Sequence, residues 1–133
     1  MKTTNKGKLA ITIDENGNLH VVFEPVNGTV WLHKSELPSL FCATIQAVNA
    51  SLNSITKGRI VDIKKNCVYE LCVRGNYVCH DLREINLEVI IAMAFRIDSP
   101  HAEVLRKWFI GRCLHPGISY RLPLDKEQQA GLN

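Results

Sequence analysis

Three side-chain amides share one predicted helix and have the chemistry of contacts with DNA bases. Gln46, Asn49 and Asn53 lie off an apolar stripe that repeats at helical spacing, so they should face solvent. An amide donates and accepts at the same time, and adenine in the major groove is its usual partner. These residues, with Thr44 at the start of the helix, are candidates for base contacts. The alternative is an ordinary solvated helix face.

Cationic side chains around this helix suit contacts with phosphates. The candidates are Lys34, Lys57, Arg59, Lys64, Lys65 and Arg74. The whole chain has a formal net charge of +3, which permits phosphate contacts without requiring them. For Arg74, an exposed turn without a ligand is the simpler interpretation.

A short helix is predicted before the one that carries the amides. Leu37, Leu40 and Phe41 stand at i, i+3 and i+4 and form one apolar stripe. Ser35 is its predicted N-cap, because a start there keeps Pro38 in the first turn, where proline is tolerated.

The second helix has Thr44 as its predicted N-cap and a stop signal at Lys57-Gly58. Its apolar stripe is Ile45, Val48, Leu52 and Ile55. About three residues separate the two helices, which is the layout of a helix-turn-helix, whose second helix can enter a major groove. Many helical hairpins share this spacing.

Alternating apolar residues predict the strands. Residues 8–13 and 19–24 form a hairpin, and 29–32 adds a third strand, giving an antiparallel meander. Residues 67–73 and 77–85 are predicted strands around a turn, and a hairpin in this position after a helix-turn-helix is a wing.

Two further helices are predicted towards the C-terminus. Asn86 caps the first, and Ser99 with Pro100 begins the second. The second should turn Ala102, Leu105, Phe109 and Cys113 inward.

Two arginines belong to this region. Arg96 and Arg106 are expected to pair with Asp98 or Glu103 in a structural role, and a phosphate site is the alternative.

The order of elements predicts one α+β domain over residues 1–115, with a loose tail over 116–133. The domain combines the meander, a winged helix-turn-helix and a C-terminal helical pair. Hydrophobic residues make up 46% of the chain and charged residues 22%, which excludes a disordered protein.

Two stretches resemble the RhuM family of bacterial proteins from pathogenicity islands and other mobile elements. The first is Thr29-Val30-Trp31-Leu32 with the two helices after it, and the second is Asn86 to Ile91, then Phe95-Arg96-Ile97-Asp98-Ser99, then Ala102, Leu105, Arg106 and Trp108. The second stretch is also similar to the end of the Bro-N domain, a phage and viral DNA-binding module.

The resemblance implies a DNA-binding, virulence-associated protein of a mobile element, of the type that regulates transcription. It assigns Arg96, Ser99, Arg106 and Trp108 to a structural motif. The chain departs from the family at Cys42, where relatives tend to have glycine in the turn. It departs again at Ile45, Ala47 and Ala50, where relatives have more polar or basic side chains.

An enzyme is not expected. Cys79 and His80 are neighbours in a predicted strand and point to opposite faces, so they cannot act together as nucleophile and base. No P-loop, G-x-G-x-x-G, H-E-x-x-H or G-x-S-x-G motif occurs, and no catalytic residue, cofactor or small-molecule substrate is predicted. Cys67, Cys72, Cys79 and His80 lack the tight pairs of a zinc site, so buried thiols are the preferred interpretation.

A cytoplasmic protein is expected. The polar start of the chain does not predict a signal peptide, and the apolar run over residues 87–95 is too short to cross a membrane. The predicted partner is double-stranded DNA. The alternative is a protein-interaction or homodimerisation module, in which Trp31, Phe41, Tyr77 and Trp108 form either core or interface.

Overall fold

The N-terminal hairpin forms over the predicted residues. The computed structural model describes residues 6–115, so the tail predicted over 116–133 lies outside the described residues. Strands β1 (Lys8–Ile13) and β2 (Leu19–Glu24) pair in antiparallel register. Asp14 fixes the turn between them, because its carboxylate accepts from the amides of Asn16 at 2.8 Å and Asn18 at 2.9 Å.

The predicted three-stranded meander is wrong. Strand β3 (Trp31–His33) pairs with the end of a strand more than 40 residues later in the chain instead of with β2. Val26 and Thr29 bond each other across a tight turn, which redirects the chain before β3 begins. Apolar alternation identifies a strand but does not identify its partner.

The second predicted hairpin is confirmed as β4 (Cys67–Arg74) and β5 (Tyr77–Asn86). With β3 it forms a sheet in the order β3-β5-β4, so β4 is an edge strand. Gly75 has φ +62° and Asn76 has no positive φ, which is the pattern of a type II′ turn.

A 3₁₀ turn over Lys34–Glu36 precedes helix α1 (Leu37–Phe41). Ser35 is not the N-cap, since the imidazole of His33 accepts from its backbone amide at 3.1 Å. Pro38 still lies in the first turn of α1, because the 3₁₀ turn ends before α1 begins.

Helix α2 (Ile45–Lys57) begins and ends as predicted. The hydroxyl of Thr44 accepts from the Ala47 amide at 3.1 Å, and Gly58 is the C-cap. A one-turn helix α3 (Ile63–Asn66), capped by Asp62, lies between α2 and the second predicted hairpin.

Helices α4 (Leu87–Ala94) and α5 (Pro100–Leu114) form the C-terminal pair. Ser99 caps α5 as predicted. Asn86 occupies the N-cap position of α4 without a capping bond, and the hydroxyl of Thr29 accepts from the Leu87 amide instead. Cys113, predicted to face inward, is exposed.

The core lies between the helices and the three-stranded sheet, where α2 packs against α4 and α4 against α5. Its largest side chains below 2% exposure are Phe41, Leu37, Ile55, Ile85, Ile90, Met93, Leu105, Val30 and Val89. Within residues 6–115, no helix is long and apolar enough to cross a membrane.

Candidate nucleic-acid interface

Helix α2 is anchored by one face and exposes the other. Three residues of the predicted apolar stripe, Val48, Leu52 and Ile55, are buried in the core at 2%, 5% and 0% exposure. The prediction is wrong for the fourth, Ile45, which is 64% exposed in the first turn. At 100° per residue, Gln46 and Asn53 fall on the side opposite this buried stripe and Asn49 falls on its flank, and all three amides are exposed. The helix therefore presents Gln46, Asn49 and Asn53 from a packed support.

The exposed face of α2 has no acidic residue of its own. The helix sequence contains neither Asp nor Glu, and its one charged side chain is Lys57 in the last turn. Lysine at this end also stabilises the helix, because the dipole is negative there. A phosphate approaching this face meets no repulsion from carboxylates on the helix.

Arg96 brings a second positive charge to α2. Its guanidinium donates to the hydroxyl of Ser54 at 3.0 Å, and the side chain is exposed. The expected pairing of Arg96 with Asp98 or Glu103 is therefore replaced by a contact across 42 residues of sequence. The sequence gives no periodic signal for such a contact.

Three more predicted cations follow Lys57 along the chain. Lys57, Arg59, Lys64 and Lys65 are all exposed, and none forms an ion pair with another residue of the range 6–115. The carboxylate of Asp62 lies among these cations in sequence, but its hydrogen bond is to the backbone amide of Lys64 and not to a cationic side chain.

The other two phosphate candidates lie beside a carboxylate. Arg74 pairs with Asp81 across the β4–β5 hairpin. The pKa of Asp81 is lowered chiefly by the hydrogen bond from Cys72 and next by the bond from Arg74. The charge of Lys34 lowers the same pKa by a smaller amount. Arg74 and Lys34 therefore belong to a different electrostatic environment from the cations that follow α2.

Ser99 and His101 hold α1, and therefore the turn into α2, against α5. The Ser99 hydroxyl donates to the carbonyl of Phe41 at 2.6 Å and accepts from the Ala102 amide at 3.0 Å. Two residues further along the chain, His101 Nδ1 lies 3.2 Å from the carbonyl of Leu40. The last carbonyls of α1 thus gain partners from α5, which fixes where α2 begins.

Arg106 and Trp108 also connect separate elements of the fold. Arg106 donates to the carbonyls of Ala94 at 2.7 Å and Ile97 at 3.0 Å, so it pairs with backbone where a pairing with Asp98 or Glu103 was predicted. Trp108 packs edge-on against Phe23, with ring centroids 5.0 Å apart. Together they join α5 to α4 and to the N-terminal hairpin.

The turn between α1 and α2 contains a left-handed residue. Cys42 has φ +50°, ψ +52° and is exposed. Glycine adopts this conformation without a steric penalty, whereas the Cβ of a cysteine is disfavoured there.

The cysteines do not assemble a metal site. Cys72 and Cys79 oppose each other across β4 and β5, whereas His80 pairs with Leu71 and lies on the other face of the hairpin. Among residues 6–115, no three His, Cys, Asp or Glu side chains are grouped to hold a metal ion.

Comparisons with protein-family models, curated proteins and solved structures find no match. The resemblance to the RhuM family therefore stays a prediction from the residues quoted for it.

Proposed function

We propose that the protein binds double-stranded DNA through the exposed face of α2 and acts as a transcriptional regulator of a mobile element. In this proposal α1 and α2 work as a helix-turn-helix, with the β4–β5 hairpin in the position of a wing. The observation that supports it is the anchored helix α2, which exposes three amides and no carboxylate beside unpaired cations.

The dimensions of α2 are compatible with a major groove. Its 13 residues make a helix about 20 Å long, while the groove is about 12 Å wide. Gln46 and Asn49 lie in the first half of the helix, the half that contacts base edges in helix-turn-helix proteins. Asn53 lies one turn further along the same face.

The cations supply sequence-independent affinity in this proposal. Lys57, Arg59, Lys64 and Lys65 are near α2 in sequence, and Arg96 contacts it directly. If four or five of these cations meet phosphates, the logarithm of the association constant should fall with that of salt at a slope of about −4.

The test is fluorescence anisotropy with labelled duplexes of random and genomic sequence at increasing salt. We expect binding at low salt with the slope given above. The triple variant Gln46→Ala, Asn49→Ala, Asn53→Ala should lose preference among sequences, while Asn16→Ala with Asn18→Ala in the β1–β2 turn should bind like the natural chain. No duplex binding at low salt would reject the proposal.

A further inference from the structure

The β4–β5 hairpin exposes apolar side chains on one face. Tyr69, Leu71 and Val73 alternate along β4 and are 40%, 62% and 71% exposed. Val78, opposite Val73, is 64% exposed. Scattered apolar residues are normal on a surface, but a contiguous group such as this marks an interaction site.

Strand β4 also has backbone amides and carbonyls on an edge that faces no other strand of its sheet. Arg74 and Tyr77 flank a two-residue loop, so they form a hydrogen-bonded pair, and the bonding alternates from there along the strand. The amides and carbonyls of Leu71 and Val73 consequently point away from β5. Proteins usually protect such an edge with proline or charges, yet neither residue is polar.

The sequence of β4 is complementary to itself. When two copies pair antiparallel with Cys72 opposite Cys72, Leu71 of each copy stands opposite Val73 of the other. Leu71 and Val73 then exchange ladder hydrogen bonds through their outward-pointing groups. On the other face, Glu70 of each copy stands opposite Arg74 of the other, so that this arginine lies between Asp81 of its own chain and Glu70 of the second copy.

We propose that the protein forms a two-fold dimer by antiparallel pairing of β4 with β4 of a second copy. Each copy contributes the strands β3, β5 and β4 to one continuous sheet across the axis. The contact is isologous, as a two-fold axis requires. Self-complementary charge and register favour a second copy over a foreign strand or a lipid surface. The inference does not depend on DNA binding.

Sedimentation equilibrium on the full chain tests the association. We expect a monomer–dimer equilibrium, and Leu71→Lys should raise its dissociation constant about a hundredfold, because each dimer loses two apolar side chains from its interface. Ile13→Lys is the matched control, since Ile13 is 65% exposed but lies on β1. Circular dichroism checks that both variants fold.

Disulfide trapping tests the register. In a chain with Cys42, Cys79 and Cys113 changed to serine, Cys72 should form an intermolecular disulfide under mild oxidation, because non-bonded pairs bring their Cα atoms to about 4.5 Å. Adding Cys72→Ser should abolish it.

A natural chain that is monomeric at all concentrations would overturn the proposal, whether or not it binds vesicles or another protein. A dimer unaffected by Leu71→Lys would overturn it too. Loss of DNA binding in the amide variant, with the dimer intact, would leave it standing.

Discussion

Replacing Arg106 with alanine distinguishes a structural role for this residue from a phosphate site. The guanidinium is half-buried and donates to two carbonyls, those of Ala94 and Ile97. Ala94 is the last residue of α4, so its carbonyl has no partner within the helix. Arg106→Ala removes both bonds and leaves two carbonyls to be satisfied by water.

The expected loss of stability follows from these bonds. A hydrogen bond to a charged group contributes about 1.5–3 kcal/mol, and water entering this half-buried site recovers part of it. We therefore expect the free energy of unfolding to fall by about 2 kcal/mol, and the Tm by about 8 °C for a domain of this size.

Thermal and urea unfolding measure the loss, with Lys107→Ala as the control. Lys107 is the exposed neighbour of Arg106 and pairs with Glu103 at 3.1 Å, so its loss should change the free energy of unfolding by less than about 0.5 kcal/mol. An Arg106→Ala variant with unchanged stability but weakened duplex binding would refute the structural assignment.

Three further changes test the local structure. Thr44→Ala should lower the free energy of unfolding by about 1 kcal/mol in urea, because α2 loses its N-cap; Thr56→Ala, near the other end of α2, is the control. Cys42→Gly should raise it by up to about 1 kcal/mol by relieving the left-handed backbone, whereas Cys42→Ser should not. The hydrogen bonds from His20 and from the Asn18 amide lower the pKa of Asp14 from its ordinary value of 3.8 to about 2. The contribution of Asp14 to stability is therefore present above pH 3.8 and is lost as the pH falls towards 2. NMR titration should show this midpoint, and His20→Ala should raise it.

Local features of the fold could be predicted from the sequence. The β1–β2 hairpin depends on apolar alternation and on Asp14 in the turn, both readable from adjacent residues. The N-caps Thr44 and Ser99 are equally local, because each bonds an amide three residues ahead. The exposed amides of α2 follow from the helical period alone.

Contacts between distant segments could not be predicted in this way. The partner of β3 depends on where β5 ends in space, and Arg96 reaches Ser54 only because α2 packs against α4. Charge alone suggested Asp98 or Glu103 as partners for Arg106, but its guanidinium bonds two backbone carbonyls, that of Ala94 at the end of α4 and that of Ile97 in the connection to α5. The exposed edge of β4 likewise follows only from the order of the strands in the sheet, which the sequence does not reveal.

A residue just beyond α2, Arg59, lowers the stability of the fold while it contributes a positive charge. Arg59, immediately after the C-cap, has φ +53°, a conformation that costs a side chain about 1 kcal/mol relative to glycine. The preceding Gly58 is required for space, because a Cβ there would lie 2.8 Å from the carbonyl of Ser54. Selection for thermal resistance alone would therefore favour Arg59→Gly, and the improved scaffold would have one cation fewer beside its exposed amides.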